Sequence, residues 1–187
     1  DLIFFINKND YADSLSVSPV AAIKNAPIIY LDKTGSIDTA SANYLKSVKG
    51  KVKNAYIIGS TEVISISMMT NASAALGLTG SKAIQRIAGC NSHDTCIAIN
   101  SMFKSVLSST GICVAKGLDF PDALAGGVFA ALYKAPLLLA ADRLSEAQTK
   151  FLQNKGAENI YVFGGTGAVS DELAKRIADA GKTKPNA

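Results

Sequence analysis

Two pairs of aspartates stand at matching places in the chain, where carboxylates could serve acid–base catalysis or metal binding. Asp10 and Asp13 follow one short apolar run, and Asp119 and Asp122 follow another. Such positions, at the carboxyl ends of parallel strands, line the ligand sites of open α/β sheets. A toprim-type enzyme would hold Mg²⁺ there, but it also needs an Asp-x-Asp pair, which the sequence lacks. Helix capping is therefore the favoured interpretation of these aspartates.

A second candidate site is a glycine-rich stretch formed by Gly164, Gly165, Thr166 and Gly167. Backbone N–H groups at the start of a helix can receive a phosphate. However, the stretch does not match the dinucleotide-binding GxGxxG pattern, and the chain contains no P-loop motif. The corresponding stretch of the first half contains Glu62, which places a carboxylate where an anion would bind. A structural turn is favoured over a nucleotide site.

The only histidine, His93, lies between Cys90 and Cys96, a grouping that suggests metal ligands. The two cysteines do not have C-x₂₋₄-C spacing, and no fourth His or Cys stands nearby, so we expect neither a metal nor a cofactor. The third cysteine, Cys113, makes the count odd, which argues against a disulfide framework. A Cys90–Cys96 bridge stays possible if Cys90 lies outside a helix, but free thiols are favoured. Because no catalytic signature appears, the chain is predicted not to be an enzyme.

Composition limits the possible partners. The formal net charge is +4, a mild excess that suits an anionic partner. The chain has seven Phe, six Tyr and no Trp, and this low aromatic content makes nucleic acid an unexpected partner. No apolar run reaches the roughly 18 residues of a membrane helix, so no membrane span is expected. Residues 2–6 are too short for the apolar core of a signal peptide and are predicted to form a strand.

The chain contains an internal duplication, which sets its predicted domain organisation. Three blocks recur in order: residues 10–15 (DYADSL) with 119–124 (DFPDAL), residues 26–29 (APII) with 135–138 (APLL), and residues 56–61 (YIIGST) with 161–166 (YVFGGT). The sequence therefore predicts a first copy over residues 1–80, which lacks a leading strand and helix, and a second copy over residues 81–187.

Each copy is predicted to run strand, helix, strand, helix, strand, helix. In the second copy the strands are expected at residues 112–115, 137–140 and 160–163, and the helices at 123–133, from Ser145 to Gly156, and from Ser170 to about residue 180. One more strand (83–87) and one more helix (95–107) are expected at its beginning. This alternation implies parallel sheets with right-handed crossovers. The predicted fold class is α/β, with tandem repeats of a small toprim- or flavodoxin-like parallel-sheet unit and helices on both faces.

The duplicated blocks resemble the type 2 cell wall-binding repeat of Gram-positive bacteria, particularly clostridia. The resemblance is carried by residues 120–126 (FPDALAG), 135–139 (APLLL) and 161–170 (YVFGGTGAVS), and residues 86–89 (RIAG) resemble the start of the repeat. The blocks stand in the family's order and cover nearly the whole chain. The first copy departs from the pattern, with Ser60 and Glu62 in place of glycines.

The resemblance implies a secreted protein of the cell wall or cell surface, held non-covalently through an anionic secondary polymer. The expected partners are this anionic glycopolymer and neighbouring repeats of the same or another chain. A structural or adhesive component of a surface layer is the alternative, and a nucleotide- or metal-using enzyme is a weaker one. The candidate ligand-binding residues, some from the resemblance alone, are Asp13, Arg86, Lys116, Asp119, Asp122, Leu137, Leu138, Leu139, Gly164, Gly165 and Thr166.

Overall fold

The structure, a computed structural model, describes residues 2–78, 84–117 and 120–182. Strands and helices alternate along these residues, as the sequence predicts. The strands are β1 (Leu2–Asn7), β2 (Ile28–Leu31), β3 (Asn54–Ile58), β4 (Gln85–Ile87), β5 (Gly111–Lys116), β6 (Leu137–Ala140) and β7 (Asn159–Phe163). The helices are α1 (Tyr11–Ile23), α2 (Thr39–Val48), α3 (Ile66–Leu76), α4 (Ser92–Met102), α5 (Phe120–Tyr133), α6 (Glu146–Lys155) and α7 (Asp171–Lys182).

The strands form two parallel sheets, and helices cover both faces of each. The first sheet has the order β2-β1-β3-β4, and the second has the order β6-β5-β7. In both sheets the first strand of the unit lies between the second and the third, which is a doubly wound order with helices on both faces. The predicted fold class is therefore confirmed. No helix within the described ranges is both long and apolar enough to cross a membrane.

One strand lies in a different sheet from the one expected. The sequence predicts a strand at residues 83–87 as the beginning of the second copy, but β4 pairs with β3, with Tyr56 opposite Gln85 and Ile58 opposite Ile87. It therefore forms the edge of the first sheet. The boundary between the two copies at residues 80 and 81 stays a prediction. Strand β4, which follows that boundary in sequence, belongs to the sheet of the preceding unit. Helix α4 is also shorter than predicted, because the chain turns after Phe103.

The first sheet is covered by helices on both faces, and its interior strands β1 and β3 are accordingly rich in buried apolar residues. Phe5 and Ile57 point into a core closed by α2 and α3, whereas Phe4 and Ile6 point into a core closed by α1 and α4. The rings of Phe4 and Phe103 pack edge to face, with 5.7 Å between their centroids. Helix α4 thus closes the first unit although it follows that unit in sequence.

The two units share a core. Leu15 of α1 and Cys96 of α4 pack with Cys113, Leu137 and other residues on one face of the second sheet. The two units therefore pack against each other through apolar surface. Helices α1 and α5 also contact each other at equivalent positions, since a Cβ on Gly127 would lie 2.7 Å from Oγ of its counterpart Ser18. The rings of Tyr11 and Phe120, a second equivalent pair, are 6.3 Å apart, so these helices lie side by side in the same direction.

Candidate functional site

The aspartate pair of the first unit divides into two different roles. Asp10 is the N-cap of α1, and its Oδ1 accepts a hydrogen bond of 3.1 Å from the backbone N–H of Asp13. Asp13 itself lies one turn into the helix and is only 2% exposed. Capping therefore accounts for the first aspartate of the pair but not for the second. In the second unit the counterpart of Asp10 is Asp119, which lies outside the described residues.

The carboxyl group of Asp13 is buried without a full set of hydrogen bonds to replace its contacts with water. Its Oδ1 has no hydrogen-bond partner, and a Cβ built on Gly59 would lie 2.8 Å from its Oδ2. Burial, and secondarily the negative charge of Asp10, raises the pKa of Asp13 to about 7. Desolvation disfavours the charged form of a carboxyl group, so Asp13 is poorly suited to attract a cation from solvent.

The second unit repeats this contact between an aspartate and a glycine turn. A Cβ on Gly164 would lie 2.7 Å from Oδ2 of Asp122, and Gly164 has a φ of 122°, close to the 114° of Gly59. An L side chain rarely adopts such a backbone conformation. Beyond it, the carbonyl of Gly165 accepts the N–H of Val169 at 2.9 Å, while Gly165 and Thr166 are exposed. The stretch is thus a closed turn that leads into α7.

Arg86 uses its guanidinium group to hold the equivalent turn of the first unit. Its Nη1 donates to the carbonyls of Gly59 at 2.6 Å and Ser60 at 3.0 Å, and its Nη2 donates to the carbonyl of Ile64 at 2.7 Å. The planar fork of arginine can reach several carbonyls at once. The side chain therefore joins β4 to the loop after β3, and its donors point into the protein.

We expect the substitution Arg86→Ala to lower the free energy of unfolding by about 2 kcal/mol, a typical contribution of hydrogen bonds to a charged group. Arg86→Lys should recover only part of this loss, because an ammonium group cannot span the same three carbonyls. Urea unfolding of both variants measures the effect. Equal stability of the wild type and Arg86→Ala would show that the turn does not depend on this side chain.

The remaining candidate residues occupy separate places. Lys116 ends β5, and its Nζ lies 3.3 Å from Oδ1 of Asp142. Leu137 and Leu139 face the core shared by the two units, whereas Leu138 faces the core beneath α6 and α7. All three leucines are fully buried, so they cannot contact a polymer directly in this fold. They could affect its binding only by supporting the packing of the protein.

A groove between α4 and α6 is a feature that sequence reasoning missed. It has a volume of about 450 Å³ and runs between the two units. Lys104, Phe151 and Lys155 line it together with Asn100, Ser101, Leu107, Pro136 and Asn154. The Nζ of Lys155 donates to the carbonyl of Ser109 at 2.6 Å. These residues are far apart in sequence, and only the position of α4 against the second unit brings them together.

The side chains that could ligate a metal do not cluster in the part of the chain that the structure describes. Within the described ranges no group of three or more His, Cys, Asp or Glu side chains could hold a metal ion. Cys90, Cys96 and Cys113 are free thiols, as the sequence favours. Cys96 has a structural role, since its thiol donates a hydrogen bond of 3.0 Å to the carbonyl of Leu137.

One family model matches most of the chain. The profile of the family "Cell wall binding domain 2 (CWB2)" matches residues 3–69 and 86–174, which together cover both units. The chain is 31% identical over 168 residues to the N-acetylmuramoyl-L-alanine amidase LytC of Bacillus subtilis. That alignment takes in 89% of this chain but only 31% of the amidase.

Two solved structures share the fold. Cwp6 from Clostridium difficile superposes with a TM-score of 0.84 at 23% identity, over 96% of this chain and 27% of that protein. Cwp8 from the same organism gives a TM-score of 0.77 at 23% identity, over 98% of this chain and 30% of its own length. The chain therefore spans about a third or less of these relatives. With the profile covering both of its units, the chain belongs to the cell wall binding domain 2 family.

Proposed function

We propose that this cell wall-binding chain is a non-catalytic anchor that attaches to the wall of a Gram-positive bacterium through an anionic secondary polymer. The observation that carries the proposal is the match of the cell wall-binding family to both units. The net charge of +4 supports an anionic ligand, because a basic surface attracts polyanions. Attachment to the wall also implies secretion to the cell surface.

Three of the described side chains that could take part in catalysis have structural roles, which supports a non-catalytic role. Asp10 caps a helix, the donors of Arg86 are bound to backbone carbonyls, and the Cys96 thiol is bonded inside the shared core. An acid or base needs access to its substrate within hydrogen-bond reach. The amidase activity of LytC belongs to a protein that this chain matches over 31% of its length.

The test is a sedimentation assay on purified Gram-positive walls, with and without chemical removal of the secondary polymer. We expect binding to intact walls, loss of binding to stripped walls, and weaker binding as NaCl rises to about 0.5 M, because salt screens exposed charges. Equal binding to stripped and intact walls would exclude the polymer as the ligand. Binding unaffected by salt would exclude an electrostatic mode.

We infer that a neighbouring repeat unit is a second partner, and an unfilled groove in the first unit supports this. In the second unit, α4 covers Ala135 and Leu137, which are both fully buried. The equivalent residues of the first unit, Ala26 and Ile28, are only half-buried and line an open groove of about 560 Å³ between α1 and α2. An α4-like helix from another repeat unit fits this groove on its α2 side, because α4 packs against β6 and α6 at the equivalent place in the second unit.

The chain is then expected to associate with other copies of itself, detectable by sedimentation velocity over a range of concentrations. Ala22→Glu would place a charge in the groove and should abolish association, because Ala22 lines it. Ala147→Glu on the exposed face of α6 is the matched control and should leave association unchanged. Sedimentation of the wild type as a monomer throughout, or association unchanged in Ala22→Glu, would contradict this inference.

A further inference from the structure

We propose that the groove between α4 and α6 is a binding site for a phosphorylated sugar unit of the wall polymer. Lys104 and Lys155 would pair with the phosphate, and Phe151 would lie against the sugar ring. The assignment rests on the proposed polymer binding and gives it a location. The three side chains assigned to the ligand lie outside the blocks that carry the family resemblance.

The groove has the size and mixed lining of a small-molecule site. Its volume of about 450 Å³ falls within the range of roughly 300–1,000 Å³ that ligand pockets occupy. Leu107, Pro136 and Phe151 supply apolar surface, and the polar groups around them come from two different helices. An apolar surface with a few convergent polar groups is the usual composition of a pocket for a small organic ligand.

The charge of the groove is uniformly positive. None of its lining residues carries a carboxylate, whereas two carry ammonium groups. Lys104 is exposed, and within the described ranges it forms no ion pair. Lys155 donates one hydrogen bond to the carbonyl of Ser109, which leaves two N–H bonds for a ligand. Partial burial lowers the pKa of Lys155, and an anion in the groove would offset this desolvation.

The polar side chains around the lysines suit a sugar. The Ser101 hydroxyl can donate and accept, and the Asn154 amide offers both donors and an acceptor, which matches sugar hydroxyls. Asn100 is 4% exposed, and its amide is held by the carbonyl of Leu137 at 2.7 Å. This bond fixes α4 against β6, so the two walls of the groove keep their spacing.

The equivalent groove of the first unit shows what α4 adds. Tyr44 occupies the position of Phe151, but no lysine lines that groove. Its lining is mostly apolar and comes from the end of α1 and from residues 26–28 that follow it. The first groove is therefore suited to an apolar helix. The groove of the second unit is cationic because Lys155 ends α6 and Lys104 follows α4, and α4 itself adds Asn100 and Ser101.

A purely structural role for the two lysines makes a different prediction. Lys155 is the last residue of α6 and Lys104 lies just beyond α4, where positive charge stabilises the helix dipole. If this is their only role, neutralising them should lower the melting temperature without changing ligand binding. A binding role requires weaker binding in a folded protein.

The experiment compares the wild-type chain with Lys104→Gln/Lys155→Gln in sedimentation on intact walls. We expect at least about tenfold weaker binding, the size of one or two lost charge-assisted contacts. Lys46→Gln/Lys51→Gln removes the same charge from exposed positions of the first unit and should bind like the wild type. Far-ultraviolet circular dichroism confirms folding, and Lys104→Arg/Lys155→Arg should restore binding.

NMR titration of the intact chain with glucose 1-phosphate, glucose and inorganic phosphate identifies the recognised group. Shifts around the groove with the sugar phosphate, larger than those with glucose or phosphate alone, are expected. If the wild type binds walls and the glutamine variant binds equally, the groove assignment is wrong while polymer binding stands. If the wild type does not bind walls at all, the proposed function itself fails.

Discussion

The substitution Asp13→Asn is expected to raise the free energy of unfolding by on the order of 4 kcal/mol at about pH 8 and to change it little at about pH 4. The carboxyl group is buried, and its pKa in the folded protein is raised from 3.8 to about 7. A carboxyl group whose pKa is raised by folding binds its proton more tightly in the native state. Its contribution to stability is therefore complete below about pH 4 and is lost as the pH rises to about 7.

Asparagine has nearly the same shape as a protonated aspartic acid and carries no charge at any pH. Urea unfolding of the wild type and Asp13→Asn at several pH values measures the predicted divergence. Glu62→Gln removes an exposed carboxylate from the same unit and is the matched control, so its difference from the wild type should be small throughout. A stability difference for Asp13→Asn that does not depend on pH would refute the prediction.

Gly89→Ala is expected to destabilise the protein by about 3 kcal/mol, the upper part of the range for overpacked positions. A Cβ on Gly89 would lie 2.3 Å from Cβ of Asp94 and 2.4 Å from its backbone carbonyl carbon. The clash is with the first turn of α4, whose position is also fixed by a 3.0 Å hydrogen bond from the Gly89 N–H to Oγ1 of Thr95. Relief of the clash would shift α4, which closes the core of the first unit.

Thermal unfolding measures this effect, with Gly165→Ala as the control. A Cβ on Gly165 would meet nothing within 4 Å, so the control should unfold close to the wild type. Helix α4 also forms one wall of the groove between α4 and α6. The fraction of Gly89→Ala that remains folded should therefore bind cell walls less well. An unchanged melting temperature would mean that the chain between β4 and α4 adapts without strain.

Much of the fold follows from local patterns in the sequence. The strand at residues 137–140 is predicted with its observed bounds, because an Ala-Pro pair ends the preceding helix and a short apolar run follows. Ser145 and Gly156 mark the ends of α6 in the structure as in the sequence: Ser145 forms a capping box, and Gly156 has a left-handed conformation. Such signals depend on residues only a few positions apart, so they can be recognised from the sequence without knowledge of the fold.

The partners of those elements depend on tertiary structure. Residues 83–87 have the sequence pattern of a strand, but only the folded chain decides that β4 pairs with β3 of the preceding unit. Helix α4 likewise contributes to both units, since Ile99 packs in the first core and Cys96 in the shared core. Hydrophobic periodicity specifies which face of an element is buried, but it does not specify which other element covers that face.

The candidate site divides in the same way. The duplication and the residue blocks of the repeat were sufficient to indicate the family, because both are properties of the linear sequence. The two aspartates of the first pair look alike in the sequence, yet Asp10 caps a helix while Asp13 is buried, because solvent access is set by what packs above a residue. Lys104 and Lys155 stand 51 positions apart in the chain and carry no shared motif. They line one groove only because α4 crosses from the first unit to lie against the second, and this convergence is a product of packing between units.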